Sequence, residues 1–249
     1  MALVWQSKRS GVNYEVRSAG KTLRLYTDGV FHSQYNPGQP LTGHVWDLLM
    51  LPAFFYPGQR PKRVLVLGVG GGAVIHQLLH FVQPEQVVGI ELNPHHVSIA
   101  RRFFGLKHSS IKLVTADAID WLKQYRGEKF DMIIDDLFAE KEGEPVAVTD
   151  ANRSWFSIML KHLNKEGVIV RNFIDKQALL ESAPLTNEAI ARRFDSIFQL
   201  TSFFNENHVG VFLRKQSTSA GLRNHLKQVP GLNPSLKTSK LRYRIRKLV

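Results

Sequence analysis

The sequence predicts an α/β fold, in which a doubly wound, mostly parallel sheet ends in an antiparallel hairpin and follows a small N-terminal β element. Short, fully apolar runs such as residues 64–67 are typical of parallel strands covered on both faces. They alternate with stretches whose apolar residues have helical spacing, as in residues 73–82. Near the C-terminus, residues 197–204 and 208–213 predict two strands joined by a tight turn. This order of elements predicts helices on both faces of an open sheet.

Two segments precede this sheet. Residues 12–35 contain short alternating runs that are broken at glycine-containing turns, and this pattern predicts a small antiparallel β element. Residues 43–55 are mostly apolar and predict a helix that is placed to close one side of a ligand site. The turn-forming residues 57–61 link this helix to the first strand of the sheet.

The stretch 62–92 predicts a strand–helix–strand unit that binds a nucleotide. Gly68, Gly70 and Gly72 follow the first strand at once, where the chain must turn sharply and let a ligand approach the backbone. The second strand ends on Glu91 about 20 residues later, a distance that suits a carboxylate hydrogen-bonded to a ribose. The glycines alone fit both a dinucleotide turn and the turn of S-adenosylmethionine (SAM) enzymes, so the choice depends on later residues.

The alternation of helix and strand continues after Glu91. Asn93 and Pro94 predict the N-cap and the first residue of a helix that runs to Phe104. Residues 111–115 predict the third strand of the sheet.

The start of the next helix and the end of the next strand supply three further candidate acids. Asp117 and Ala118 open the helix, and residues 130–134 predict a fourth strand that ends on Asp135 and Asp136. Because the carboxyl ends of parallel strands meet at one edge of a sheet, these acids are expected near Glu91.

A loop over residues 137–149 follows the fourth strand and contains three glutamates, Glu140, Glu142 and Glu144. The negative charge of this loop would favour the binding of a cationic amine. A loop that is simply solvated would explain the three glutamates as well. Thr149 or Asp150 predicts the N-cap of the next helix. The later elements predicted are a strand over 167–173 and a helix over 188–194.

Four motifs in chain order resemble those of the spermidine synthase-like branch of class I SAM-dependent transferases. They are GVGGGA, GIELNPHHVSIARRFFGL, IKLVTADAIDWL and FDMIIDD. The resemblance covers most of residues 22–213 and includes the N-terminal β element. It implies a Rossmann-like methyltransferase fold and a cofactor that is SAM or decarboxylated SAM.

The resemblance also implies a role for each candidate residue. The cofactor-binding residues would be Gly68, Gly70, Gly72, Glu91, Asp117 and Ala118, and the catalytic residues Asp136 and Asp135. The glycines would lie against the methionine end of the cofactor, Glu91 would bind the ribose, and Asp117 would contact the adenine. The alternative for Asp117 is that it is only a helix N-cap. Asp136, with Asp135 beside it, would face an amine-bearing acceptor and remove its proton.

The chain departs from the aminopropyltransferases of this branch at three positions. They typically carry an acid where this chain has Gly71, Ala139 and Val45. Because a polyamine is a polycation that carboxylates hold, these losses favour a methyltransferase that acts on an amine. The glycine turn and Asn172 resemble, more faintly, the C-terminal domain of a eukaryotic methyltransferase that acts on an elongation factor. One alternative is an aminopropyltransferase with an altered acceptor site. Another is a non-catalytic SAM-fold protein that binds nucleic acid or a partner.

Composition narrows the class of protein further. The 249 residues include no cysteine, so no disulfide or thiolate site is expected. No apolar run is long enough for a membrane span and no secretory signal is evident, so we expect a cytoplasmic protein. His95 and His96 are adjacent and would point to different sides of a helix, so no metal site is expected. A homodimer is compatible with the sequence.

The excess of positive charge belongs to the C-terminal end. Residues 214–249 carry ten of the 33 lysines and arginines and none of the 21 acids. Residues 241–246 alternate apolar side chains with arginines, which predicts a strand with one basic face for RNA or another polyanion. A disordered, solvated basic end is the alternative. The predicted division is an N-terminal β element and helix (1–56), a SAM-binding catalytic domain (57–215) and a basic tail (216–249).

Overall fold

The computed structural model describes residues 1–56, 60–141, 144–203 and 206–249, with the backbone alone for residues 140, 141, 144 and 145. Its first four strands, β1 (Ala2–Arg9), β2 (Val12–Ala19), β3 (Thr22–Thr27) and β4 (Val30–Tyr35), pair antiparallel in that order. The β element predicted over residues 12–35 is therefore confirmed. No sequence pattern predicts β1, because its side chains are mostly exposed and show no buried face.

Residues 43–55 form two helical pieces in place of one. Helix α1 (Val45–Met50) passes directly into a 3₁₀ turn over Leu51–Phe55. Pro52 lies at the start of this turn and lacks the N–H that would continue the α-helical hydrogen bonds. Both pieces are nevertheless buried against the sheet, as the apolar sequence predicts.

The main sheet has eight strands in the order β14-β12-β13-β11-β8-β5-β6-β7. Five of them are parallel: β5 (Arg63–Leu67), β6 (Gln86–Glu91), β7 (Ile111–Thr115), β8 (Phe130–Asp135) and β11 (Leu163–Phe173). The antiparallel part comprises β12 (Ser196–Thr201), β13 (His208–Leu213) and β14 (Arg244–Lys247). The predicted parallel sheet with a terminal hairpin is confirmed.

The loop after β8 forms a small hairpin of its own. Its strands are β9 (Phe138–Lys141) and β10 (Glu144–Ala147), paired antiparallel. Of the three predicted loop glutamates, Glu142 and the side chains of Glu140 and Glu144 lie outside the described residues.

Helix α2 (Ala73–Gln77) passes directly into a π-helical turn over Leu78–Val82, and together they cover the helical stretch predicted over residues 73–82. The remaining α-helices are α3 (Pro94–Arg102), α4 (Ala118–Gln124), α5 (Arg153–His162), α6 (Lys176–Leu180), α7 (Ala183–Thr186), α8 (Glu188–Ala191) and α9 (Ser219–Gln228). The N-cap predicted at Asn93 is confirmed, because its side chain accepts from the backbone N–H of His95 at 2.9 Å. The N-cap predicted at Thr149 or Asp150 is wrong. Asn152 caps α5, while the hydroxyl and carbonyl oxygens of Thr149 accept from Arg171.

Alternating residues of the central strands supply two cores, one on each face of the sheet. Val64 and Val66 of β5 belong to the core beneath α1, α2 and α9. Leu65 and Leu67 belong to the opposite core, beneath α4 and α5. Burial on both faces explains why this strand is a continuous apolar run.

The C-terminal residues fold against this sheet. Leu222 and Leu226 of α9 are buried, and β14 pairs antiparallel with β12. The alternative of a disordered basic end is therefore wrong for this strand, which is paired in the sheet. The predicted alternation is present, with Leu241 buried and the arginines at 242, 244 and 246 exposed. Polyanion binding and a homodimer stay predictions. Among the described residues, no helix has both the length and the apolar character of a membrane span.

Candidate functional site

The candidate site lies at one edge of the main sheet, where the parallel strands end. Across this edge, Glu91 ends β6, Gly68 follows β5, Asp136 follows β8 and Asn172 lies near the end of β11. β6 and β8 pair with opposite sides of β5, so the strand order reverses there. Ligands of open α/β sheets bind in the crevice beside such a reversal.

A cavity of about 220 Å³ opens at this edge. The sheet contributes the glycine turn at residues 68–70, together with Glu91 and Asp136. The N-terminal sheet contributes residues 30–32 of β4. Helix α1 contributes Val45 and Trp46, so this helix borders the cavity. That the cavity is the ligand site stays a prediction.

The glycine turn separates into a part that faces the cavity and a part that packs behind it. Gly68 and Gly70 line the cavity. A Cβ at Gly68, whose φ is +83°, would overlap the backbone carbonyl of Asp136, so the turn after β5 touches the chain that leaves β8. Gly72 is the left-handed N-cap of α2, and a Cβ there would overlap the side chain of Leu106. Gly72 therefore lets the helix pack closely and does not line the cavity.

Glu91 is buried and holds the glycine turn. Its Oε2 accepts from the backbone N–H groups of Val69 (3.0 Å) and Gly70 (2.8 Å), and its Oε1 accepts from Asn93 (2.9 Å). Burial opposes its ionisation, but the hydrogen bond and charge of His96, with the backbone donors, outweigh burial and lower its pKa to about 2. Glu91 is therefore a fixed carboxylate that lines the cavity.

Asp136 has the opposite electrostatic character. Burial is the largest influence and raises its pKa from 3.8 to about 6. The hydrogen bond from Asn172 lowers the pKa, the nearby charge of Asp135 raises it, and the hydrogen bond from Trp46 lowers it. The Asn172 amide donates to Oδ1 of Asp136 at 2.8 Å, and Asn207 in turn donates to the amide oxygen of Asn172 at 3.1 Å.

Asp135 points elsewhere and does not line the cavity. Its carboxylate is 2% exposed and accepts from the Trp155 indole at 2.7 Å and from the Arg171 guanidinium at 2.6 Å. Arg171 also donates to Thr149, so the ion pair fastens the start of α5 to the sheet. Asp135 therefore belongs to a buried structural network, and the expectation that it lies beside the acceptor is wrong.

Asp117 and Ala118 lie at the end of β7, next to the strand that carries Glu91. The carbonyl of Glu91 accepts from the N–H of Ala116 at 3.1 Å, which fixes the two strand ends beside each other. Oδ1 of Asp117 accepts from the N–H groups of Ile119 and Asp120, both at 2.9 Å. Asp117 is therefore the N-cap of α4, and neither it nor Ala118 lines the cavity described above. A contact with adenine stays a prediction.

Several cavity residues are absent from the sequence predictions. His96 lines the cavity from α3, and its Nε2 is 2.8 Å from the hydroxyl of Thr27 in the N-terminal sheet. Phe31 and Trp46 form an edge-to-face pair with centroids 5.4 Å apart. Asn207 enters from the turn before β13. His96 belongs to the second of the four motifs, but Phe31, Trp46 and Asn207 belong to none, because two separate sheets and a helix bring them together.

The three departures noted in the sequence have distinct surroundings. Val45 and Ala139 line the cavity, so apolar side chains stand at two of the positions where the aminopropyltransferases carry an acid. Gly71 packs against β4, and a Cβ there would lie 2.8 Å from the Cβ of Ser33. The close approach of the two sheets therefore leaves no room for an acidic side chain at Gly71 in this backbone arrangement.

Comparison with solved structures supports this fold. A probable spermidine synthase from Corynebacterium glutamicum superposes with a TM-score of 0.74 and 16% identity, over 99% of this chain and 91% of that one. Human methyltransferase-like protein 13, solved in complex with SAH, superposes with a TM-score of 0.57 and 18% identity, over 73% and 86% of the two chains. Identities this low establish the fold alone.

Curated relatives match at higher identity over shorter stretches. Polyamine aminopropyltransferase 2 of Caldanaerobacter subterraneus is 32% identical over 39% of this chain and 33% of its own length. Polyamine aminopropyltransferase 1 of Hyperthermus butylicus is 26% identical over 79% and 65%. Putrescine N-methyltransferase 2 of Nicotiana attenuata is 27% identical over 63% and 41%. The match thus spans about one third to two thirds of each relative's length.

The spermine/spermidine synthase domain matches residues 46–202, well over half of the chain. The matched region runs from Trp46 in α1 through the glycine turn, Glu91 and Asp136 to the end of β12. It therefore contains most of the cavity just described. The chain belongs to the spermine/spermidine synthase family.

Proposed function

We propose that this chain transfers the aminopropyl group of decarboxylated SAM to the nitrogen of an amine acceptor. The observation that carries the proposal is Asp136, a partly buried carboxylate that lines the cavity and has a pKa raised to about 6. A base of this pKa is ionised at neutral pH, and it can still take a proton from an ammonium that binds against it. The leading function is thus the one that the chain's aminopropyltransferase relatives favour.

The residues around Asp136 prepare it for this step. Asn172 and Trp46 both donate hydrogen bonds to it, so they orient the carboxylate and favour its ionised form. The donor, when bound, supplies a carbon on a sulfonium: the N–C bond forms as the C–S bond breaks, and a neutral thioether leaves. Asp136 holds the proton that the acceptor nitrogen loses before attack, and the chain's main further contribution is positioning.

The cofactor end of the cavity fits a nucleoside of this kind. Glu91 is ionised and buried at the end of β6, where a carboxylate can accept from ribose hydroxyls. Gly68 and Gly70 expose backbone to the cavity, and Asp117 with Ala118 lies on the adjoining strand end. We assign the donor to these residues and the acceptor to Asp136.

The charge of the cavity supports the decarboxylated donor. No lysine or arginine lines it among the residues that the structure describes. The N–H groups of Val69 and Gly70 already donate to Glu91, so they are engaged before any ligand arrives. His96 also lines the cavity, but its charge is engaged by Glu91, so the carboxylate of intact SAM would lack a lysine or arginine partner here, and burying a poorly paired charge is costly.

Methyl transfer to an amine is the second candidate, and one observation favours it. Gly71 has no room for a side chain, so no acid can stand at this point of the turn to hold the ammonium of an aminopropyl group. The match with putrescine N-methyltransferase agrees with this candidate.

Titration calorimetry with each donor, followed by transfer assays, tests the proposal. We expect decarboxylated SAM to bind at least tenfold more tightly than SAM. We also expect transfer to fall as the pH drops through about 6, because Asp136 becomes protonated. Tighter binding of SAM with methyl transfer would replace the leading function by the second candidate. Binding of either donor without transfer to any amine would favour the non-catalytic alternative.

A further inference from the structure

We propose that the end of the main sheet formed by β14 binds a single-stranded nucleic acid. The surface concerned, the β14 surface, comprises Lys176, Phe203, Lys237, Arg242, Arg244 and Arg246, which line two neighbouring grooves. The inference goes beyond the proposed transfer reaction and does not depend on it.

The β14 surface carries a concentrated positive charge. Its five lysines and arginines are all exposed. Residues 214–249 supply four of them and contain no aspartate or glutamate. The acidic loop over residues 137–149 begins at the end of β8, four strands away from β14, which is about 19 Å at the usual strand spacing. Such a surface attracts phosphates, and binding them releases counterions.

The cations on β14 form a line. Arg244 and Arg246 project to the same face of the sheet, because successive residues of a strand alternate between its faces. Both line a groove of about 350 Å³, and Lys176 at the start of α6 lines it as well. Side chains two residues apart on a strand stand about 7 Å apart. A line of separated cations fits a chain of successive phosphates better than it fits a single phosphate.

An exposed aromatic ring lies beside this line. Phe203 is 65% exposed, and the guanidinium of Arg244 lies 3.7 Å from the centroid of its ring. The arginine covers one face, so much of the ring remains open to a base. The bases of a single strand stack on aromatic rings and on arginines, whereas those of a duplex are already stacked on one another. Phe203 therefore favours a single strand.

A second groove extends the surface past Phe203. It has a volume of about 420 Å³, and its lining includes Leu236, Lys237 and Arg242 besides Phe203. Phe203 thus lies between two grooves that both contain exposed cations. A strand that stacks one base on this ring would place phosphates on either side of it in reach of a lysine or an arginine.

Fluorescence anisotropy with a labelled oligouridylate of about 12 nucleotides tests the inference. We expect the logarithm of the binding constant to fall with the logarithm of the salt concentration at a slope of about −3.5, since each of the five cations contributes about −0.7. An RNA duplex of the same length should bind at least tenfold more weakly at about 0.15 M salt, because its bases cannot stack on Phe203.

Two variants separate stacking from charge. Phe203→Leu should weaken binding of the oligouridylate at least fivefold and leave the salt slope unchanged. Arg246→Gln should weaken binding and make the slope shallower by about 0.7. Arg101→Gln is the matched control and should change neither quantity. Arg101 is an exposed arginine of α3, which packs on β6 and β7 at the opposite end of the sheet.

Several outcomes would overturn the inference. The first is that the oligouridylate shows no salt-sensitive binding. The second is that the duplex, or vesicles that contain phosphatidylserine, bind as tightly as the single strand, because the surface would then respond to charge alone. The third is that Phe203→Leu binds the oligouridylate like the wild-type protein. None of these results would alter the case for transfer to an amine.

Discussion

Replacing Asp136 by asparagine should make the protein more stable while it abolishes transfer. The pKa of this carboxyl rises from 3.8 to about 6 on folding, chiefly because of burial. Each tenfold change in an ionisation equilibrium is worth about 1.4 kcal/mol, so keeping Asp136 ionised above pH 6 costs the folded state about 3 kcal/mol. Asparagine removes this cost. It keeps one oxygen for the Asn172 amide but loses a hydrogen bond, at about 1 kcal/mol.

The net gain in the free energy of unfolding should be about 2 kcal/mol at pH 8. For a domain of this size, that gain corresponds to about 4–8 °C in Tm. The pH dependence is the sharper test. Below about pH 4 the carboxyl is protonated in both the folded and the unfolded wild-type protein, so its cost is absent. The cost appears as the pH rises from about 4 to about 6 and stays constant above that.

Urea unfolding of the wild-type protein and of Asp136→Asn, monitored by circular dichroism from about pH 4 to pH 8, measures the difference in their free energies of unfolding. Subtracting the two curves cancels the other titrating groups, including Glu91. Asp120→Asn is a matched control, since this aspartate is exposed and should change stability by no more than about 0.5 kcal/mol. The interpretation of Asp136 as a carboxylate destabilised by burial would be refuted if the variant were no more stable than wild type at pH 8. It would also be refuted if the difference in stability between the two proteins did not shrink on acidification.

Two further substitutions test the rest of the site. Glu91→Gln should weaken donor binding by about 1–3 kcal/mol in calorimetry, because it removes a buried ionised acceptor, whereas Asp136→Asn should leave that affinity near wild type. Equal losses in both variants would place Asp136 in the donor pocket. Arg171→Met should destabilise the protein by about 3–5 kcal/mol in urea unfolding, because it leaves Asp135 buried without its cation. A loss below about 1 kcal/mol would show that the indole of Trp155 satisfies Asp135 alone.

The spacing of apolar residues predicts most of the fold, because a strand that is covered on both faces of the sheet is apolar throughout. Residues 111–115, for example, form the predicted third strand with the same bounds in the structure. Prediction is weaker where a local signal has two possible partners. Thr149 has the right chemistry for a helix N-cap, but Arg171, which follows it by 22 positions in the chain, engages it instead. Nothing in the local sequence reveals such a long-range contact.

Some residues of the candidate site are likewise predictable from the sequence, and others are not. Glu91 and Asp136 are predictable because each stands at the end of an apolar strand. The sequence could have indicated that the side chains of Asp135 and Asp136 point in different directions, since successive residues of a strand point to opposite faces of the sheet. The apolar helix over residues 43–55 is expected beside the ligand, but no pattern singles out Trp46 within it. Asn207 reaches the cavity only through the turn before β13, which no pattern reveals either.

The amides beside Asp136 have a consequence for where the captured proton can go. Asn207 occupies the oxygen of Asn172, so Asn172 presents its amino group to Asp136 and serves there as a donor. Trp46 has an indole N–H and no acceptor. A proton taken up by Asp136 therefore has no relay inward through these two neighbours, and in the proposed reaction it must leave through the mouth of the cavity to water. While the product is still bound in the cavity, it blocks the route of the proton through the mouth. In a stopped-flow experiment with a pH indicator, release of the proton should accordingly coincide with departure of the product, and a proton released ahead of the product would contradict this route.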